Sequence, residues 1–211
     1  MTTQEKIEQL GIMPVIVIDN AEDAPALADA LLKGGVYAAE ITMRTKAGRD
    51  AIAAMAKAHP DMLVGAGTVL DAQSAEQAVE AGSSFIVSPG FNPAVAEVCQ
   101  KHGVPYLPGV VTPTEIDMAL AHGLTWLKFF PAEAFGGAKT IKALSAPYRN
   151  VKFMPTGGIT LDNLEDYLKL DCIYACGASF IAERKLINEH NFDEITRRCA
   201  AAVETVRRIR G

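Results

Sequence analysis

The sequence predicts an α/β chain folded as a (β/α)8 barrel of the TIM type, and three observations lead there. Eight short apolar runs recur with their centres 20 to 26 residues apart, room for one strand, one helix and two short loops. Ala-rich stretches of helical periodicity separate the runs, so strands alternate with helices and pair in parallel. The length of 211 residues suits one closed barrel, a fold that commonly spans roughly 200–250 residues. With no linker or low-complexity stretch, residues 1–211 read as a single domain that includes a short N-terminal helix. A doubly wound open sheet is the competing arrangement. It normally carries a GxGxxG turn after its first strand, where this chain has Ile18-Asp19-Asn20-Ala21.

Taken in order, Met1 to Leu10 reads as a short polar helix. The strand candidates are Ile12–Ile18, Ala38–Met43, Leu63–Val69, Phe85–Pro89, Pro105–Val110, Trp126–Pro131, Lys152–Gly157 and Ile173–Phe180. Between the early ones lie helical segments at Asp23–Lys33, Lys46–Ala58, Ala72–Ala81, Pro93–His102 and Pro113–His122. Gly34, Gly82, Gly103 and Gly123 follow four of these helices, where a left-handed cap costs glycine little.

Composition narrows the function. A formal charge of −5 argues against non-specific nucleic-acid binding, which needs a basic footprint. No run approaches the roughly 18 apolar residues of a membrane span, and the N-terminus lacks the charged and apolar regions of a secretory signal. A cytoplasmic protein is expected. The four cysteines, Cys99, Cys172, Cys176 and Cys199, form no CxxC pair and read as buried, reduced thiols. The histidines, His59, His102, His122 and His190, fall in or at the ends of helices and read as surface residues. No His, Cys or carboxylate cluster at strand ends has metal-ligand spacing, so neither metal nor cofactor is expected. Arg197, Arg198, Arg207, Arg208 and Arg210 lie on a last helix, where they would complement its C-terminal dipole.

Barrel chemistry sits at the carboxyl ends of the strands, and alternation sorts each strand's side chains into two faces. Glu40, Thr42 and Arg44 share a face, as do Val64, Ala66 and Thr68, then Trp126, Lys128 and Phe130, then Met154, Thr156 and Gly158. With the polar members inward, Glu40, Arg44, Thr68, Lys128 and Thr156 converge on one mouth. Lys128 is the sharpest of them. A strand lysine usually lays its stem on apolar surface with the ammonium in water. Helices cover the outside of a barrel strand, so this one points into a wet cavity or is buried. Desolvation favours a neutral amine, the form that attacks carbonyls.

Glu40 reads either as a salt bridge to Lys128 or Arg44 or as a general base beside the amine. Arg44 is either a rim ion pair or a planar fork for a substrate carboxylate. The Gly-rich ends of strands seven and eight, Pro155-Thr156-Gly157-Gly158-Ile159-Thr160 and Cys176-Gly177-Ala178-Ser179-Phe180, are tight turns or a phosphate cradle. Gly65-Ala66-Gly67-Thr68 and Ser88-Pro89-Gly90 are weaker signals: glycines inside a barrel strand are consistent with simple relief of crowding, and Thr68 with a bond to neighbouring backbone.

On these residues the chain resembles the 2-keto-3-deoxy-6-phosphogluconate (KDPG) and 4-hydroxy-2-oxoglutarate (KHG) aldolase family. The likeness runs from about Ile12 to Phe180. Its motifs are Glu40-Ile41-Thr42-Met43-Arg44-Thr45, Val64-Gly65-Ala66-Gly67-Thr68-Val69, Ser88-Pro89-Gly90, Lys128-Phe129-Phe130-Pro131-Ala132-Glu133 and Pro155-Thr156-Gly157-Gly158-Ile159. The resemblance implies a Schiff-base aldolase that cleaves KDPG to pyruvate and glyceraldehyde 3-phosphate, and KHG to pyruvate and glyoxylate. It further implies Lys128 as the imine-forming amine and Glu40 as the acid/base. Arg44, Thr68 and Thr156 would contact the keto acid, and Gly157, Gly158 and Ser179 would hold the phosphate, with Pro89 and Phe130 shaping the pocket. A homotrimer acting on a small 2-keto acid or sugar-acid phosphate is expected. Ala178 and Phe180 depart from the Gly and Trp of the family. The alternatives are an aldolase for the galactonate epimer, and a barrel that isomerises or only binds a sugar phosphate.

Overall fold

A computed structural model describes residues 1–211. Its strands are β1 (Ile12–Ile16), β2 (Ala38–Thr42), β3 (Leu63–Gly67), β4 (Ile86–Val87), β5 in two pieces (Tyr106–Leu107 and Gly109–Val110), β6 (Trp126–Phe129), β7 (Lys152–Pro155) and β8 (Cys176–Ala178). Each lies inside the apolar run that predicts it. The helices are α1 (Thr3–Leu10), α2 (Ala24–Lys33), α3 (Gly48–Ala58), α4 (Ala72–Glu80), α5 (Pro93–His102), α6 (Pro113–Ala121), α7 (Gly137–Ser145), α8 (Leu164–Leu168), α9 (Arg184–Asn188) and α10 (Phe192–Arg210).

All pairings are parallel and the ring closes. From β1 the ladder runs through β2, β3 and β4 to the first piece of β5. The second piece continues to β6 and β7. Bridges Phe153↔Ile173 and Thr156↔Gly177 link β7 to β8, which pairs with β1 at Ile12↔Cys176. Pro108 divides β5 because it has no N–H to donate; its carbonyl accepts from Lys128 N at 2.8 Å. The result is a (β/α)8 barrel with one continuous core of 61 buried residues.

Helix α1 lies across the N-terminal mouth. Thr2 and Glu5 form a reciprocal capping box, Ile7 is fully buried, Tyr37 Oη donates to Lys6 O at 3.0 Å, and Glu8 pairs with Lys152 at the start of β7. That end of the barrel is plugged, which leaves the carboxyl end for chemistry.

Several local expectations need correction. Gly82, Gly103 and Gly123 are left-handed, but Gly34 is not, and the left-handed residue there is Gly35. Gly34 is glycine because α10 crosses it closely: a Cβ would stand 2.8 Å from Thr196 O. Cys172 is only half-buried, unlike the other three thiols. His59 is half-buried too, beside Asp29 at 3.1 Å. Arg197 and Arg198 lie near the start of α10, where Glu194 binds both. Arg210 donates to the carbonyls of Ile173 and Tyr174. Only Arg207, Arg208 and Arg210 belong to the last turn.

Candidate active site

A cavity of about 550 Å³ opens at the carboxyl ends of the strands, between β1, β2 and β3 on one side and β6, β7 and β8 on the other. Nine of the ten sequence-predicted residues line it: Glu40, Arg44, Thr68, Pro89, Lys128, Phe130, Thr156, Gly157 and Ser179.

The deepest polar pair is Lys128 and Glu40. β2 and β6 stand four strands apart in a ring of eight, so side chains pointing inward from them meet across the barrel axis. Lys128 Nζ donates to Glu40 Oε1 at 3.1 Å and to Oε2 at 3.4 Å. Lys128 is 5% exposed and Glu40 is 0% exposed. The Phe130 ring centroid lies 5.3 Å from Nζ, close enough for an electrostatic contact with the ring face. The ammonium therefore has one carboxylate partner and an aromatic wall, with the open cavity above.

Gly67 makes room for the carboxylate. A Cβ there would stand 2.6 Å from Glu40 Cγ and 2.7 Å from Cδ. Gly65 has a purely packing role, since a Cβ would enter the Phe85 ring. The next residue, Thr68, sits at φ 58°, a backbone region costly for a β-branched side chain. That turn directs Thr68 to the mouth. Thr42, on the same face as Glu40, stays out of the cavity; its hydroxyl donates to Ile16 O at 2.8 Å.

The turn after β7 is built from two left-handed glycines, Gly157 at φ 97° and Gly158 at φ 81°. It is laced to the segment after β6: Ala132 N donates to Thr156 O at 2.8 Å and Glu133 N to Gly157 O at 3.1 Å. Gly158 is the predicted site residue that does not line the cavity. It faces Glu133, whose Cγ would lie 2.5 Å from an added Cβ. Glu133 does not reach the cavity either; its Oε1 accepts from Tyr167 Oη. Burial first and the Glu133 carboxylate second raise the Tyr167 phenol above its ordinary range. Thr156 Oγ1 has only a 3.5 Å approach to Met154 O, a distance at which little bond remains, so the hydroxyl is available to a ligand. Gly177 clears space for it, since a Cβ would come 2.9 Å from Thr156 Cβ.

Sequence reasoning missed Val15, Val17, Ala182, Glu183 and Arg184 among the lining residues, while Phe180, which it placed at the phosphate end, does line the cavity. Val15 on β1 and Val17 just past its end alternate within the apolar run Ile12–Ile18, so extending strand parity to that run would have found them. Glu183 and Arg184 lie beyond the last strand, where no periodic signal reaches. Deeper in the barrel, Tyr174 is fully buried with its ring edge-on to Trp126, centroids 4.9 Å apart. Its hydroxyl has no hydrogen-bond partner in the protein. Burial, with the Glu40 charge second, pushes its phenol well above the ordinary value. No group of three or more His, Cys, Asp or Glu is placed to hold a metal ion.

With an amine, two carboxylates (Glu40 against the amine and Glu183 at the rim) and two arginines on one cavity, the site can attack a carbonyl, move a proton and receive anions. A family model described as KDPG and KHG aldolase matches residues 3–198. The 2-dehydro-3-deoxy-phosphogluconate aldolase of Haemophilus influenzae is 47% identical over 209 residues, covering 98% of this chain and 99% of that one. The KHG/KDPG aldolase of Escherichia coli is 40% identical over 204 residues, 96% of each chain. A crystal structure of KDPG aldolase from Legionella pneumophila, with pyruvate captured at low pH as a covalent carbinolamine intermediate, superposes with a TM-score of 0.92. It is 39% identical and covers 95% of this chain and 98% of that chain.

Proposed function

The chain belongs to the KDPG and KHG aldolase family, and on that premise we propose that it is a metal-independent class I aldolase using Lys128 as the Schiff-base amine. Its substrate is KDPG, cleaved to pyruvate and glyceraldehyde 3-phosphate, with KHG cleaved to pyruvate and glyoxylate at the same site. One observation supports the reading above all others: the Lys128 amine lies buried at the cavity floor, 3.1 Å from a carboxylate with no other charged partner.

Glu40 takes a proton from the ammonium, and the neutral amine attacks the C2 ketone. Glu40 returns the proton as the carbinolamine loses water, which leaves a protonated imine. That imine is the electron sink. Glu40, through one bridging water, then accepts the C4 hydroxyl proton; the C3–C4 bond breaks and its electron pair moves into the enamine. The aldehyde leaves, C3 is protonated, and water hydrolyses the imine to pyruvate and free Lys128. Arg44, which makes no salt bridge in the protein, receives the substrate carboxylate with Thr68 and Thr156. Gly157, Gly158 and Ser179 form the phosphate end, Gly158 by shaping the turn. Pro89 and Phe130 wall the reacting carbons.

The chain works as one domain over residues 1–211 and, on the family resemblance, as a homotrimer. A cytoplasmic location is supported by four free cysteines, and no helix is long and apolar enough to cross a membrane. Borohydride reduction in the presence of pyruvate, followed by peptide mass mapping, tests the core of the reading. The expected result is a stable adduct on Lys128; an adduct elsewhere, or none, removes it.

A further inference from the structure

One cation on the cavity wall has no part in the chemistry above. Arg184 begins α9 and lines the cavity beside Ser179 and Glu183. Its Nε and Nη2 donate to the two oxygens of Asp19, each at 2.6 Å, and Asn188 Nδ2 donates to Asp19 Oδ2 at 2.9 Å. Asp19 follows β1, so this fork ties the end of β1 to the segment after β8. The Arg184 hydrogen bond first, and the Asn188 bond second, hold the Asp19 carboxyl below its usual range, and the pair stays ionised at neutral pH.

That fork occupies two of the five guanidinium N–H donors, and Nη1 makes no hydrogen bond in the protein. The side chain is 60% exposed, so the free edge can be reached from the cavity. Its acidic neighbour Glu183 already pairs with Arg198 at 3.2 Å, which limits repulsion of an arriving anion. The wall that carries Arg184 also carries Gly157 and Ser179, while the unpaired Arg44 leaves from β2. The cavity thus has two arginines, one free and one pre-oriented, separated by the end of β1.

Resting on the aldolase reading and deepening it, we propose that Arg184, held in place by Asp19, selects for substrates whose far end is a phosphate. A phosphate dianion presents several terminal oxygens and can take the Nη1 edge while Asp19 keeps the other. A single carboxylate with less charge gains less from an arginine already facing Asp19. Because Asp19 fixes the fork beforehand, little side-chain freedom is lost on binding.

The test is steady-state kinetics of wild type, Arg184→Ala and Arg184→Lys on KDPG and on KHG, with inorganic phosphate as inhibitor. For Arg184→Ala the KDPG-to-KHG ratio of kcat/KM should fall about tenfold, mainly through KM for KDPG, and phosphate should lose inhibitory strength by a similar factor, as expected for one charge-assisted contact. Arg184→Lys should restore part of the ratio, since it keeps the charge without the fork. An equal loss on both substrates, with phosphate inhibition unchanged, would mean that the pair merely braces the rim and would overturn the proposal. So would an unaltered ratio. Borohydride trapping with pyruvate separates the two levels. A normal Lys128 adduct with an unaltered ratio removes Arg184 alone, whereas a wild type that gives no adduct removes both readings.

Discussion

The Glu40 carboxylate occupies the space that a side chain at position 67 would fill: a Cβ on Gly67 would lie 2.6 Å from Glu40 Cγ. Both residues are buried, and Glu40 is paired with Gly65 along the β2–β3 ladder. Neither backbone can retreat without breaking that ladder.

Gly67→Ala should therefore push the carboxylate off Lys128 while the barrel still folds. An error of about 1 Å at a catalytic group can cost roughly a hundredfold in rate. Overpacking should lower stability by about 1–3 kcal/mol. Wild-type kcat in a folded Gly67→Ala protein would show that the position of Glu40 does not matter.

Lys128→Ala should abolish turnover and the borohydride adduct together. It also leaves a carboxylate at 0% exposure without its partner, a loss that typically costs about 3–5 kcal/mol. Denaturant unfolding should show that loss, and adding Glu40→Leu should recover part of it. Glu40→Gln is expected to lower kcat by about 10²–10⁴-fold and still permit slow imine formation with pyruvate. Full activity in either single variant would contradict the assigned roles.

Tyr174→Phe removes a buried hydroxyl that lacks a partner. An unsatisfied buried polar group costs about 1–3 kcal/mol, so the variant should be at least as stable as wild type, by thermal and urea unfolding. A clear loss of stability would show that the hydroxyl is bonded in solution.

Burial pushes the Cys99, Cys176 and Cys199 thiols up to about 12 from an ordinary 9.0. In the unfolded chain these thiols give up protons first. Folded-state stability from this source is thus complete below about pH 9 and is lost as pH rises toward 12. The slope is up to about 1.4 kcal/mol per pH unit for each thiol. Urea unfolding between pH 8 and 11 should show the decline. Iodoacetamide at pH 8 should label the native protein at half-buried Cys172 and spare the others. Rapid labelling of Cys176 would contradict its burial.

Much of this molecule is legible along the chain because the signals are local. A strand's alternation and the spacing of apolar runs are set by a few neighbouring residues, and they placed all eight strands and the inward direction of Lys128. A lysine between Leu127 and Phe129 in a helix-covered strand has nowhere to go but the barrel axis. Tertiary structure decided everything that depends on closure. Glu40 and Lys128 are 88 positions apart and meet because β2 and β6 face each other across the ring. Asp19 and Arg184 are 165 apart and meet because β8 returns to β1. Gly65 yields to a ring and Gly67 to a carboxylate, although the two look alike in sequence. Gly157 lines the cavity while Gly158 turns toward Glu133. Parity tells which way a side chain points; only the register and closure of the barrel tell what stands opposite it, because that distance is a property of the whole sheet and no single strand encodes it.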